Sequence, residues 1–212
     1  PTEYKMYAKT IVKVFTDEGI TGIGGGLHLH YLLMPQEVKK RFETIKRKDP
    51  MKLNLRHVQP PFDVALYDIV GKTLKVPVSW LLGGPVREKV PVAYWSTDMA
   101  PGDTAKEAKA AVEKGFKVYK LKAWKPETTL ERMKTIKKAV GDELAIRLDP
   151  NTRWQTPSLA IKIARKLENY NVECLEDPIP KENLNSYRLL RSKIDIPIAL
   201  HTSSPKDVLN AI

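Results

Sequence analysis

The sequence predicts an α/β architecture: a small N-terminal α+β domain over residues 1–88, then an incomplete (β/α)8, TIM-type barrel over residues 89–212. Two observations predict it. Beyond residue 88, short apolar runs alternate with charged amphipathic stretches, the order expected when strand and helix units curl a parallel sheet toward a barrel. Lys122, Asp149 and Glu176 each end one of those runs, and both intervals are 27 residues. Side chains at the C-terminal ends of barrel strands face a shared mouth, so equal spacing turns three distant residues into one candidate site.

The elements follow in order. Tyr7 to Phe15 reads as a strand, Thr16-Asp17-Glu18-Gly19 as a turn, and Ile20 to Gly24 as the returning strand of a hairpin. A Gly-rich stretch leads into Leu27-His28-Leu29-His30-Tyr31. Gln36 to Ile45 is a basic amphipathic helix, and Pro61 opens a second helix that runs to Lys72 with apolar residues at helical spacing. Leu81-Leu82-Gly83-Gly84-Pro85 closes this part. Barrel strands 1–5 are expected at Val90 to Trp95, Val118 to Ala123, Leu144 to Asp149, Val172 to Glu176 and Pro197 to Leu200. Helices fill the gaps at Ala105 to Lys114, Thr128 to Val140, Ser158 to Asn169 and Leu184 to Lys193, and another begins at Pro205. A closed barrel needs eight strands, so five leave two unpaired edges and uncovered apolar surface. The rest of the wall is expected from a separate chain, from dimerisation or from a longer gene product, and a homo-oligomer is the expected state.

Composition narrows the function classes. With 36 Lys and Arg against 25 Asp and Glu, the net charge is +11, enough to raise nucleic acid as a partner. The basic residues are dispersed, however. Lys39-Lys40-Arg41, Lys46-Arg47-Lys48 and Lys134 with Lys137-Lys138 fall on helix faces among acids, without the aromatic platforms that stack bases. The expectation is no nucleic acid. No apolar run is long enough to cross a bilayer and no signal peptide opens the chain, so no membrane partner and a cytoplasmic location are expected. The single cysteine, Cys174, sits inside an apolar strand and reads as a packed thiol.

The residue types at the three strand ends suit chemistry. Lys120 and Lys122 are two apart on one strand, so both face the same side. Adjacent ammonium groups disfavour each other's charge, which suits one of them to accept a proton. Asp149 and Glu176 are hard oxygen donors on adjacent strands and suit Mg²⁺, which binds through one or two carboxylates and keeps water or substrate in its shell. The alternative is plainer: lysines reaching solvent, and carboxylates serving as a helix cap or a surface ion pair.

Five ordered motifs extend the pattern: Asp63-x-x-Leu66-x-Asp68-x-x-Gly71-Lys72, Leu81-Leu82-Gly83-Gly84, Lys120-x-Lys122, Asp149-x-Asn151-x-x-Trp154 and Glu176-Asp177-Pro178. In this order they resemble the enolase superfamily, most closely its mandelate racemase and muconate lactonising branch. That resemblance implies a capping domain at the N-terminus and Mg²⁺-dependent removal of the proton α to a carboxylate. Lys122 looks like the base, Lys120 like the charge that steadies the enediolate, and Asp149 and Glu176 like metal ligands. Asn151 resembles the polar residue beside the metal, Asp177 suits a hydrogen-bond acceptor behind the metal ligands, and Trp154 reads as packing. The family's third oxygen ligand is absent from Pro197-Ile198-Ala199-Leu200-His201-Thr202. His201 takes its place, or Thr202 through water, and an imidazole shifts preference toward Mn²⁺, Fe²⁺ or Zn²⁺. His28 and His30 fall in the segment resembling the family's substrate-selecting loop, and His30 is the expected substrate contact.

The resemblance implies a small-molecule carboxylate substrate, a sugar acid or a related compound. An acid-sugar dehydratase is the first expectation, because Leu148-Asp149-Pro150-Asn151-x-x-Trp154 resembles glucarate-type dehydratases. A racemase, epimerase or cycloisomerase is the second. A non-catalytic, degenerate family member is the third. Mg²⁺ is the expected cofactor, with Mn²⁺ as the alternative.

Overall fold

In the computed structural model the described residues are 10–25, 35–182, 184–202, 206, 208 and 209. His28 and His30, with the start of the helix expected from Pro205, lie outside them. The chain forms two compact units, Pro1–Val90 and Pro91–Ile212.

The first unit is built on an antiparallel hairpin, β1 (Ile11–Phe15) with β2 (Thr21–Gly25). Its turn is closed by Thr16, whose hydroxyl accepts from the Ile20 amide at 3.0 Å while Gly19 takes φ +79°. A helix α1 (Pro35–Glu43) follows, and then α2 (Phe62–Leu74), which supplies most of a small core: Phe62, Ala65, Leu66 and Ile69 packed with Val12 and Ile45. The glycines of β2 have a steric cause. A Cβ on Gly22 would lie 2.1 Å from the Ala65 carbonyl oxygen and one on Gly24 2.0 Å from that of Pro61, so the strand can rest on α2 only without side chains there. A short helix α3 (Val78–Leu81) ends the unit's regular structure.

The second unit is an open parallel sheet in sequential order: β3 (Tyr94–Ser96), β4 (Val118–Lys122), β5 (Ala145–Asp149), β6 (Val172–Glu176) and β7 (Ile198–Ala199). Four helices connect the strands: α4 (Pro101–Glu113), α5 (Pro126–Val140), α6 (Pro157–Leu167) and α7 (Leu184–Arg191). The first three start on a proline, where the missing N–H breaks no helical hydrogen bond. Parallel strands in sequence order with a helix after each are the wall of a (β/α)8 barrel, here an arc of five strands.

Alternation along the strands fixes which side chains face the helices. Tyr119, Leu121, Ile146, Leu148 and Leu175 are buried against Ala108, Met133, Ile136, Ile163, Ala164 and Leu190 of the helical layer. Each such side chain contributes about 1.5–3 kcal/mol by burial, so a one-residue slip of a strand would be prohibitive. Lys120, Lys122, Arg147 and Asp149 are thereby left on the opposite face.

Both outer strands are shorter than the sequence predicts. The first begins at Tyr94 rather than Val90, because Pro91 withholds a ladder donor and Val90 and Val92 stand 68% and 69% exposed. The fifth keeps two residues, Ile198 and Ala199, in place of the four expected.

Candidate active site

Register brings the predicted residues to one level. Lys122 and Asp149 are direct partners in the β4–β5 ladder. The β5–β6 ladder begins with Ile146 opposite Val172 and then shifts, so that Arg147 faces Cys174 and Leu148 faces Leu175. Without that shift Asp149 would stand level with Leu175; with it, Glu176 comes level with Asp149 on the same face. Glu173, the residue left over, pairs with the Arg147 guanidinium at 2.9 Å.

Four charged side chains meet on that face. Lys122 Nζ donates to Asp149 Oδ2 at 2.6 Å, and Lys120 Nζ donates to Glu176 Oε2 at 2.6 Å. Lys120 Nζ also lies 3.3 Å from Asp149 Oδ2. Two ammonium groups and two carboxylates thus form a chain of alternating charge, Lys122, Asp149, Lys120, Glu176. This corrects the expectation of two lysines governed by mutual repulsion, since each is matched by a carboxylate from a neighbouring strand. Asp149 is the anchored member: it is 1% exposed and its Oδ1 accepts from the Asn151 amide at 3.0 Å. The lysines keep about a fifth of their side-chain surface in solvent, 21% and 18%.

The loop after β5 is held in an unusual backbone. Asn151, Thr152 and Gln155 all have positive φ, at 50°, 65° and 56°. The turn is over-determined by hydrogen bonds, with the Thr152 amide donating to the Asp177 carbonyl at 2.7 Å and the Trp154 amide to that of Pro178 at 3.2 Å. Trp154 is fully buried, as expected of a packing residue, and its indole also donates to the Ala123 carbonyl at 3.0 Å. Trp124, which the sequence reading passes over, donates from Nε1 to Asn151 Oδ1 at 3.0 Å and carries the Arg153 guanidinium 4.4 Å from its ring centre. Its signal is only proximity, two residues past Lys122 and just beyond the end of β4.

Asp177 and His201 form a separate arrangement. Asp177, 4% exposed with φ +47°, accepts from the His201 amide at 2.8 Å through Oδ1 and pairs with Lys181 through Oδ2 at 2.8 Å. Lys181 also donates to the His201 carbonyl at 2.5 Å. The His201 main chain is therefore pinned, while the residue is exposed. The register pairs Ala199, not His201, with Glu176. Among the described residues no three His, Cys, Asp or Glu side chains gather into a metal-binding group, so the expected third ligand does not join the carboxylate pair. Thr202 stands beside it, half-buried. Cys174 is packed in the sheet, and burial pushes its thiol above the ordinary range against the opposing pull of Arg147.

The donor chemistry fits a divalent cation. Asp149 Oδ2 and Glu176 Oε2, hard oxygens from adjacent strands, converge on one cationic point, the Lys120 ammonium. The arrangement can hold positive charge beside a movable amine.

Residues 103–206 match the family described as enolase C-terminal domain-like. The chain belongs to the enolase superfamily, in its mandelate racemase and muconate lactonising branch. It is 28% identical to the N-succinyl-L-Arg/Lys racemase of Bacillus cereus, over 93% of this chain and 59% of the relative. It is 30% identical to muconate cycloisomerase 1 of Acinetobacter baylyi, over 93% of this chain and 60% of that protein. A crystal structure of a dipeptide epimerase from Enterococcus faecalis, complexed with Mg and the dipeptide L-Leu-L-Tyr, superposes with a TM-score of 0.78 at 25% identity, over 91% of this chain and 59% of that one. The chain thus spans about three fifths of these relatives' length. Among the described residues no helix is long and apolar enough to cross a membrane.

Proposed function

We propose that the Lys120, Lys122, Asp149 and Glu176 cluster is the proton-abstracting half of a metal-dependent isomerase site for small carboxylates. The observation that carries it is the meeting of Lys122 with the buried Asp149 carboxylate on the next strand. Asp149 and Glu176 would hold Mg²⁺, or Mn²⁺ in its place, with water and substrate oxygens completing the shell. When bound, the ion supplies positive charge to offset the second negative charge that develops as the α-proton leaves.

The chain's own residues do the rest. Asp149 is fixed by burial and by the Asn151 amide, whereas Lys122 sits on a flexible four-carbon stem, so the lysine is the member that turns to substrate. In its amine form Lys122 Nζ takes the α-proton, and the C–H electron pair moves into the substrate carboxylate. Lys120, from the same face of β4, is the cation that would face the developing enediolate. The Asn151 amide holds Asp149, and Trp124 holds the Asn151 side chain. Asp177 holds the His201 main chain rather than the metal.

Racemases, epimerases and cycloisomerases among the relatives favour isomerisation over acid-sugar dehydration. Each of these reactions involves a proton beside a carboxylate, so isotope exchange separates proton abstraction from the later bond changes. Incubation in D₂O with Mg²⁺ and a panel of dipeptides, N-acyl amino acids, muconate and sugar acids is expected to put deuterium at the α-carbon of one of the first three without loss of water. Dehydration of a sugar acid in the same panel would overturn the isomerase assignment.

A further inference from the structure

We infer that Arg132, with Asp98, is a positioning residue that fixes the main chain of Lys122; the inference rests on Lys122 being the base but concerns the strand that bears it. Arg132 projects from α5 into the interior, and its side chain is 0% exposed. Its Nη1 donates to the Lys122 carbonyl oxygen at 2.8 Å and lies 2.6 Å from Asp98 Oδ1, while Nη2 contacts the Thr129 hydroxyl at 3.4 Å. One guanidinium therefore joins three elements: the loop after β3, the C-terminal end of β4 and helix α5.

Stability does not account for this group. A buried ion pair is often no better than an apolar side chain of the same volume, and this one, with Arg132 fully buried and Asp98 partly so, is incompletely satisfied. Asp98 Oδ1 meets the guanidinium as a charge contact outside hydrogen-bond geometry, and Arg132 Nε has no hydrogen-bond partner. Thr129, Met133, Ile136 and Val140 share the buried face of α5, where a leucine or methionine would pack at lower cost. What an apolar residue could not supply is the hydrogen bond to the Lys122 carbonyl. The next residue is held as well: the Ala123 amide donates to the Asp149 carbonyl at 2.9 Å, and its own carbonyl accepts from Trp154. Together these contacts hold residues 122 and 123 where β4 ends and the lysine must be aimed.

The test compares wild type with Arg132→Met, which keeps an apolar volume, and with the milder Asp98→Asn. Amide hydrogen exchange is read at Ala123, with the Ile146 amide of β5, which donates to the Asn171 carbonyl, as the internal reference. Arg132→Met should speed exchange at Ala123 about tenfold with Ile146 unchanged, and Asp98→Asn should do so less strongly. Arg132→Lys should partly restore protection. Equal acceleration at both amides, or no change at Ala123, would overturn the inference. Where wild type shows α-proton exchange, the same variants should lower kcat and leave KM unaltered; a change confined to KM counts against it. Should wild type show no such exchange, the assignment of Lys122 as base fails while the Ala123 readout still decides the role of Arg132.

Discussion

Lys122 and Asp149 face each other as ladder partners on adjacent parallel strands, and their side chains meet at 2.6 Å on the face turned away from the helices. One partner is anchored and nearly fully buried, the other is flexible and partly solvated. That asymmetry assigns a holding role to the carboxylate and a moving role to the amine.

Glu176→Gln should lower Mg²⁺ affinity at least about tenfold, the lower end of what losing even an outer-shell partner costs a metal site. The carboxamide keeps the hydrogen-bonding shape but removes the charge beside Lys120. Titration calorimetry with MgCl₂ reads the effect, and unchanged affinity would remove Glu176 from the metal-binding pair.

Asn151→Ala should destabilise the second unit by about 1–2 kcal/mol, because an alanine at φ +50° bears the left-handed penalty and loses the Trp124 contact. Asn151→Gly should recover the backbone part of that loss. Urea unfolding of both variants checks the order.

Trp154→Phe leaves the Ala123 carbonyl without its buried donor, so it should cost about 1–3 kcal/mol. Mg²⁺ affinity should stay at the wild-type value, because Trp154 touches neither carboxylate. A denaturation midpoint that does not move would show that the hydrogen bond is replaced.

Tyr119 predicts an alkaline limb. Burial pushes its phenol up to about 12 from 10.0, opposed by its hydrogen bond with Ser96 at 2.7 Å. The folded state keeps this proton after the unfolded chain has lost it, so the contribution is full below pH 10 and falls away as pH rises toward 12. Tyr119→Phe should therefore lose less stability than wild type across that window, by roughly 2–3 kcal/mol. Parallel stability curves for the two proteins would contradict the burial argument.

Much of the second unit is legible in the sequence, because strand alternation and helical periodicity there serve one apolar layer. Equal spacing of Lys122, Asp149 and Glu176 points to one level of one sheet, and that level exists. It depends on a detail that spacing conceals: β5 and β6 start at an offset of 26 residues, and the irregularity before Arg147 adds one more. The charge pairing was not legible, because alternation says which face Lys120 occupies and not which carboxylate its long stem reaches. Arg132 did leave a signal, a guanidinium on the apolar stripe of α5, but its partner Asp98 lies 34 residues away in a loop. The fifth strand misled for a geometric reason. Glu176 is level with Ala199, so the imidazole expected beside it comes two residues later, beyond the end of the ladder.

The division of labour between amine and carboxylate is tested most directly by α-proton exchange and Mg²⁺ binding measured together on Lys122→Ala and Asp149→Asn. The expected result is that Lys122→Ala lowers exchange by about 10²–10⁴-fold with Mg²⁺ affinity intact, as for loss of a general base. Asp149→Asn should weaken Mg²⁺ binding first. Exchange that survives in Lys122→Ala, or Mg²⁺ affinity that falls with Lys122 and not with Asp149, would contradict it.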